Sequence, residues 1–179
     1  MNLSAIARKL GKYQLCILIV MSKKENMRYN WKALNRQQVG AFSEYFVKME
    51  FTMFGFQVYS TEVDDRGIDF VVRYENGPFL SIQVKSIRGK GYVFMQKEKF
   101  YLSVEMYLAL AILDEGEEPR LFLIPSEAWT EPNALLVDRD YIGKKSKPEW
   151  GMNLSKKNMV LLEGYAFSKM VSQLKNRKA

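Results

Sequence analysis

The chain has 179 residues, 47% of them hydrophobic and 13% aromatic, which is enough apolar material for one sizeable core and too much for a disordered chain. It has no histidine and one cysteine, Cys16, which excludes Ser-His-Asp and Cys-His nucleophilic catalysis, histidine-bearing zinc sites, an intrachain disulfide and a cysteine metal cage. The formal charge of +7 comes from the ends: residues 1–30 hold six basic and one acidic side chain, residues 31–143 twelve and seventeen, and residues 144–179 nine and two. The remaining carboxylates, lysines, amides and hydroxyls suit hard cations such as Mg²⁺, which take oxygen ligands. Basic ends are compatible with a polyanionic partner.

Residues 1–30 read as an N-terminal extension to a single domain over 31–179, and residues 1–20 are expected to be dispensable for folding. The longest apolar run, Leu15 to Met21, has seven residues where a spanning helix needs about 20, so no membrane span is expected. Lys23 and Lys24 follow it directly with no small-residue cleavage site, which argues for a cytoplasmic protein.

Residues 35–54 are predicted to be a helix. Asn35 is a suitable N-cap, Gly55 a suitable stop, and Val39, Phe42, Phe46, Met49 and Met53 fall on one face at spacings of three and four. Phe56 to Ser60 reads as a short strand and Glu62 to Gly67 as a polar turn. Ile68 to Tyr74 and Phe79 to Ser86 alternate around Glu75-Asn76-Gly77-Pro78, which predicts a hairpin. Tyr92 to Phe94 reads as a strand and Met95 to Leu102 as a helical turn or two. Met106 to Leu113 and Leu121 to Ile124 read as buried strands flanking an acidic loop, Asp114 to Pro119. Ser126 to Trp129 opens a short helix, residues 130–150 read as irregular, and Asn158 to Arg177 is predicted to be an amphipathic helix with Leu162, Ala166, Met170 and Leu174 inward. This order predicts an α/β fold, a mixed sheet flanked by helices.

The hairpin is the informative unit. Ile68, Phe70 and Val72 share a face with Leu80, Ile82 and Val84, so Asp69, Gln83 and Lys85 share the other. One register pairs Asp69 with Lys85; a two-residue slip pairs Asp69 with Gln83. Facing Cβ atoms lie about 5 Å apart, so either register gathers a carboxylate, an amide and an ammonium. The bland alternative is a solvated polar sheet face. Glu44 lies mid-helix between Gly40 and Lys48. Glycine in a helix costs about 1 kcal/mol relative to alanine, and it allows a neighbouring backbone to approach on the side that Glu44 shares. The alternative for Glu44 is an ordinary solvated pair with Lys48.

Gly40-x-x-x-Glu44 on the first helix, Gly55-Phe56 opening a strand, Gly67-Ile68-Asp69 on the second strand and Gln83-Val84-Lys85 on the third resemble the PD-(D/E)XK nuclease superfamily, in an order similar to Holliday-junction resolvases and the Q-x-K subgroup of restriction nucleases. The resemblance spans about residues 37–88 and implies a restriction-endonuclease-like fold acting on nucleic acid, DNA first. It implies that Asp69 ligates Mg²⁺ or Mn²⁺, with Glu44 supporting the metal, Gln83 offering its side-chain oxygen and Val84 its backbone carbonyl. Lys85 would orient or deprotonate the attacking water. A homodimer is compatible with it. Ile68 stands where the motif has proline, and Gln83 where most members carry Asp or Glu. The alternative is therefore a degenerate domain of the same fold that binds nucleic acid or a protein partner without cleaving.

Lys85, Arg88, Lys90, Lys97 and Lys99, set against Glu98 alone, form a central basic stretch expected to contact phosphates. Gly143-Lys144-Lys145-Ser146 fails as a P-loop because Asp138 stands where glycine is required. Gly89-Lys90-Gly91 reads as a turn, Asp114 to Glu118 as a solvated loop, and Tyr92, Phe94, Phe100, Tyr101 and Tyr107 as core rather than base-stacking residues.

Overall fold

A computed structural model describes residues 27–60 and 67–176. Most of the expected N-terminal extension, Cys16, the turn residues 62–66 and Arg177 lie outside the described residues. Helix α1 spans Arg36–Met53 and opens on a capping box: Asn35 Oδ1 accepts from the Gln38 N–H and Gln38 Oε1 from the Asn35 N–H. It stops at Gly55, whose φ of +84° suits a residue without a Cβ. Strands β1 (Gln57–Ser60), β2 (Phe70–Arg73), β3 (Leu80–Arg88), β4 (Gly91–Gln96), β5 (Met106–Leu113) and β6 (Arg120–Pro125) follow. A 3₁₀ turn, Ser126–Thr130, leads to β7 (Leu136–Arg139) and β8 (Glu149–Leu154), then to α2 (Met159–Leu162) and α3 (Phe167–Lys175).

The main sheet has the order β1-β2-β3-β5-β6, with β3 and β5 parallel and the other neighbours antiparallel. This is the mixed sheet flanked by helices that the sequence leads one to expect. On one face Phe70, Val72, Leu80, Ile82 and Leu123 pack against Val47 and Phe51 of α1 and Phe167, Val171 and Leu174 of α3. The other face carries a second sheet in the order β4-β8-β7. There Leu108, Leu110 and Ile112 meet Val93, Met95, Trp129, Leu136 and Met152. Strand β5 is therefore buried along its whole length, as its unbroken apolar run requires.

Several expectations are corrected. The buried stripe of α1 is Val39, Ser43, Val47 and Phe51, while Met49 and Met53 are 57% and 81% exposed. Ser43 can enter the core because its hydroxyl donates to the Val39 carbonyl at 2.8 Å. Phe42 and Phe46 only flank the stripe, Phe42 resting on Trp31 with centroids 4.9 Å apart. Residues 130–150 are not irregular throughout, since β7 and the start of β8 lie within them. Met95 and Gln96 belong to β4, and the expected helical turns shrink to one, closed by the Phe100 N–H donating to the Gln96 carbonyl. The C-terminal helix breaks at Ala166, which bridges to Phe122 in extended conformation. That break moves the inward positions to Leu162, Phe167, Val171 and Leu174. Among the described residues no helix is long and apolar enough to cross a membrane.

Candidate functional site

The hairpin adopts the second of the two allowed registers. Phe70 faces Ile82 and Val71 faces Ser81, which sets Asp69 opposite Gln83 and not opposite Lys85. Asp69 lies just before β2, where the strand leaves β3. Its N–H donates to the Ile82 carbonyl at 2.9 Å, and its Oδ2 accepts from the Val84 N–H at 2.5 Å. A carboxylate held by a backbone donor has a fixed direction, which a ligand position needs.

Gln83 is 6% exposed, and its buried Oε1 has no hydrogen-bond partner among the described residues. Leaving such an oxygen unpaired costs about 1–3 kcal/mol, so a native fold that keeps one invites an account of it. Gly67, with φ of +76°, makes room for this amide. A Cβ there would lie 2.9 Å from Gln83 Nε2 and 3.2 Å from the Lys99 carbonyl. Motif reading placed Gly67 in the signature; its packing against Gln83 and Lys99 is visible only in three dimensions.

Gln83 and Lys85 line a cleft of about 370 Å³ between β3 and β4, together with Ser86, Ile87, Tyr92 to Gln96 and Lys99. Val84 alternates to the opposite face of β3 and packs beside the α1 core. Glu44 is half-buried on the α1 flank that it shares with Lys48, whose ammonium lies 5.3 Å from the Phe70 ring, so this flank runs beside β2. Glu44 and Asp69 are not among the residues lining the cleft. No ion pair joins Glu44 to Lys48 among the described residues. Nor, among the described residues, do three Asp, Glu, His or Cys side chains converge as metal ligands. The donor set that the described residues offer at the fork is thus the Asp69 carboxylate and the Gln83 amide oxygen. This suits a hard divalent ion that keeps most of its shell for water and phosphate.

The basic stretch divides. Lys85 faces the cleft, Lys90 and Lys99 are exposed, and none of the three forms an ion pair among the described residues. Lys97 is held between Asp138 and Asp140 at 2.5 and 2.6 Å, over the Trp150 ring. The Arg88 guanidinium donates to the Leu34 carbonyl. Sequence adjacency could not show these internal partners.

The cleft wall also holds a group that motif reading missed. Tyr92 donates its hydroxyl to Glu149 at 2.7 Å, and Tyr141 donates to the same carboxylate at 2.9 Å. Burial, then the hydrogen bond to Glu149 and that carboxylate's charge, push the Tyr92 phenol above its ordinary 10.0. A raised phenol stays protonated in the fold while the unfolded chain ionises near pH 10. The resulting stability is fully present below that pH and is lost above it. Lys97 acts with the same sign: burial lowers its pKa, but the hydrogen bonds and charges of Asp138 and Asp140 outweigh this and raise it. The melting temperature should be flat to about pH 9 and decline above about pH 10, with a shallower decline in Tyr92→Phe. Identical slopes in the two proteins would show that Tyr92 does not carry the effect.

No family model matches the chain, and no curated protein does. Among solved structures, the chain is similar to a Holliday junction resolvase from Archaeoglobus fulgidus, at 16% identity and a TM-score of 0.44, over 64% of this chain and 83% of that one.

Proposed function

We propose that this chain acts on nucleic acid, with DNA as the substrate, by divalent-metal-dependent phosphodiester hydrolysis at the β2–β3 fork. The observation that carries the reading is the buried Gln83 oxygen, unpartnered among the described residues and set opposite the oriented Asp69 carboxylate, with Lys85 two residues further along β3. Asp69 and Gln83 would hold Mg²⁺ or Mn²⁺, with the Val84 carbonyl and Glu44, through water, as the remaining protein donors. When bound, such an ion polarises the phosphate and lowers the pKa of water. Lys85 presents a cation where negative charge develops on the phosphate and can orient the attacking water. Lys90 and Lys99 hold the strand by its backbone phosphates, which positions the substrate without reading its sequence.

The second reading, a binding domain without cleavage, is favoured by one observation: a neutral amide at position 83, with no group of three acidic side chains converging among the described residues. Two measurements separate the readings. Lys85→Ala should reduce nicking of supercoiled plasmid in Mg²⁺ or Mn²⁺ by at least about a hundredfold while DNA binding survives. With Lys85, Lys90 and Lys99 as the phosphate contacts, log K should fall with log salt at a slope of about −3, because each neutralised phosphate contributes about −0.9. No nicking by the wild type, with that slope intact, establishes the binding domain. Absence of any salt-sensitive DNA binding removes both readings.

A further inference from the structure

We propose that Phe94 on β4 is a base-stacking residue, so that the nucleic acid taken by this cleft carries an unpaired base; this rests on the nucleic-acid reading above. Strand β4 alternates: Val93 and Met95 enter the core, while Phe94 faces outward, 48% exposed, in the wall of the cleft that Gln83, Lys85 and Lys99 also line. A lone exposed phenylalanine is ordinary. This one is set beside a ring that is itself fixed. Tyr92 lies two residues away on the same strand face, its centroid 6.5 Å from that of Phe94 and the ring planes inclined by only 20°.

Three constraints hold Tyr92. Its hydroxyl is tied to the buried Glu149, the Arg139 guanidinium carbon lies 4.5 Å from its ring centroid, and the tip of its ring occupies the space that a side chain at Gly151 would need. Phe94 pairs across β8 with that same Gly151, which puts no side chain beside it. The result is a rigid aromatic wall next to cations that no carboxylate neutralises among the described residues. The chemistry that completes such a wall is a flat, polarisable ring on an anionic strand, and an aromatic side chain flanked by cations serves nucleobases of any identity. Bases inside an intact duplex are already stacked on both faces. The partner is therefore a single-stranded, bulged or branched region, with one unstacked base against Phe94 and adjoining phosphates toward Lys85 and Lys99.

The test is fluorescence anisotropy in Ca²⁺, with one labelled oligonucleotide presented as a blunt duplex, as the duplex with one bulged base, and as a single strand. Phe94→Ala should weaken single-strand and bulge binding about tenfold and leave the blunt duplex within about twofold, which also serves as the control for folding. Phe94→Trp should restore affinity, with indole fluorescence quenched by the single strand and not by the duplex. Equal losses on all three substrates, or no loss on any, overturn the proposal while leaving the nucleic-acid reading standing. If the wild type binds none of the three, the nucleic-acid reading fails and the stacking residue fails with it.

Discussion

Asp69→Asn should abolish divalent-ion binding and leave the fold intact. Asparagine keeps the shape of the side chain, and its carbonyl oxygen can still accept from the Val84 N–H, so the fork between β2 and β3 stays closed. What disappears is the negative charge of the carboxylate that the β2–β3 hairpin orients at the fork. A hard cation held at the fork in the proposed way would then face two amides. Affinity should fall by at least about a hundredfold, beyond the 10–100-fold typical of disturbing an outer-shell partner. At the Val84 bond, exchanging a charged for a neutral acceptor should cost about 1 kcal/mol of unfolding free energy, too little to unfold the chain. Mn²⁺ electron paramagnetic resonance reads the first quantity and urea unfolding the second. Retained binding would remove Asp69 from the site.

The second large effect is expected far from any motif. Gly151 lies in the middle of β8, and a methyl group there would overlap the Tyr92 hydroxyl and ring. The phenol must swing away, which breaks its bond to Glu149 and leaves a buried carboxylate with Tyr141 and a distant Arg139. Gly151→Ala should therefore cost about 3 kcal/mol, from overpacking and the lost buried hydrogen bond together. Tyr92→Phe, which removes only the hydroxyl, should cost about 1 kcal/mol. In Tyr92→Ala the space beneath the ring is empty, so adding Gly151→Ala should cost little more. A double-mutant cycle by chemical unfolding measures that coupling. Additive losses would show that the Tyr92 ring is not what forbids a side chain at position 151.

Local chemistry made much of this architecture legible in advance. Asn35 and Gly55 bracket α1, the Asn76-Gly77 turn announces the hairpin, and the apolar run of β5 has no place except the centre of a sheet. The common face of Asp69, Gln83 and Lys85 follows from strand alternation alone. The register does not, because both pairings keep the apolar residues together; it is seen only in the structure, where the Asp69 N–H donates to the Ile82 carbonyl and the Val84 N–H donates to the Asp69 carboxylate. Strands β7 and β8 are harder to read: β7 has only four residues, and β8 is interrupted by Gly151, whose side-chain space is filled by Tyr92 of β4. The buried stripe of α1 is hard to read in sequence because Ser43, polar, satisfies its hydroxyl on its own helix, while Met49 and Met53, apolar, stay exposed. For the same reason five basic residues in a row of fifteen could not reveal that Lys97 belongs to Asp138 and Asp140.

The exposed cations make the salt slope a test of where DNA lies, but a metal at the fork is the claim on which hydrolysis depends. Gln83→Glu addresses it directly. A carboxylate at this buried position, opposite the Asp69 carboxylate and with no hydrogen-bond donor to the present Gln83 Oε1 among the described residues, should lower the melting temperature of the metal-free protein, because a buried charge beside a like charge is costly. Bound Mn²⁺ should offset that cost, since the ion would gain a second charged ligand. Calorimetric Mn²⁺ titration of wild type and Gln83→Glu, with thermal unfolding of each in chelator and in Mn²⁺, is the decisive measurement. The expected result is binding by the wild type, binding at least about tenfold tighter by Gln83→Glu, and recovery of the variant's melting temperature on adding metal. No binding by either protein, and no recovery, would contradict a metal centre formed by Asp69 and Gln83.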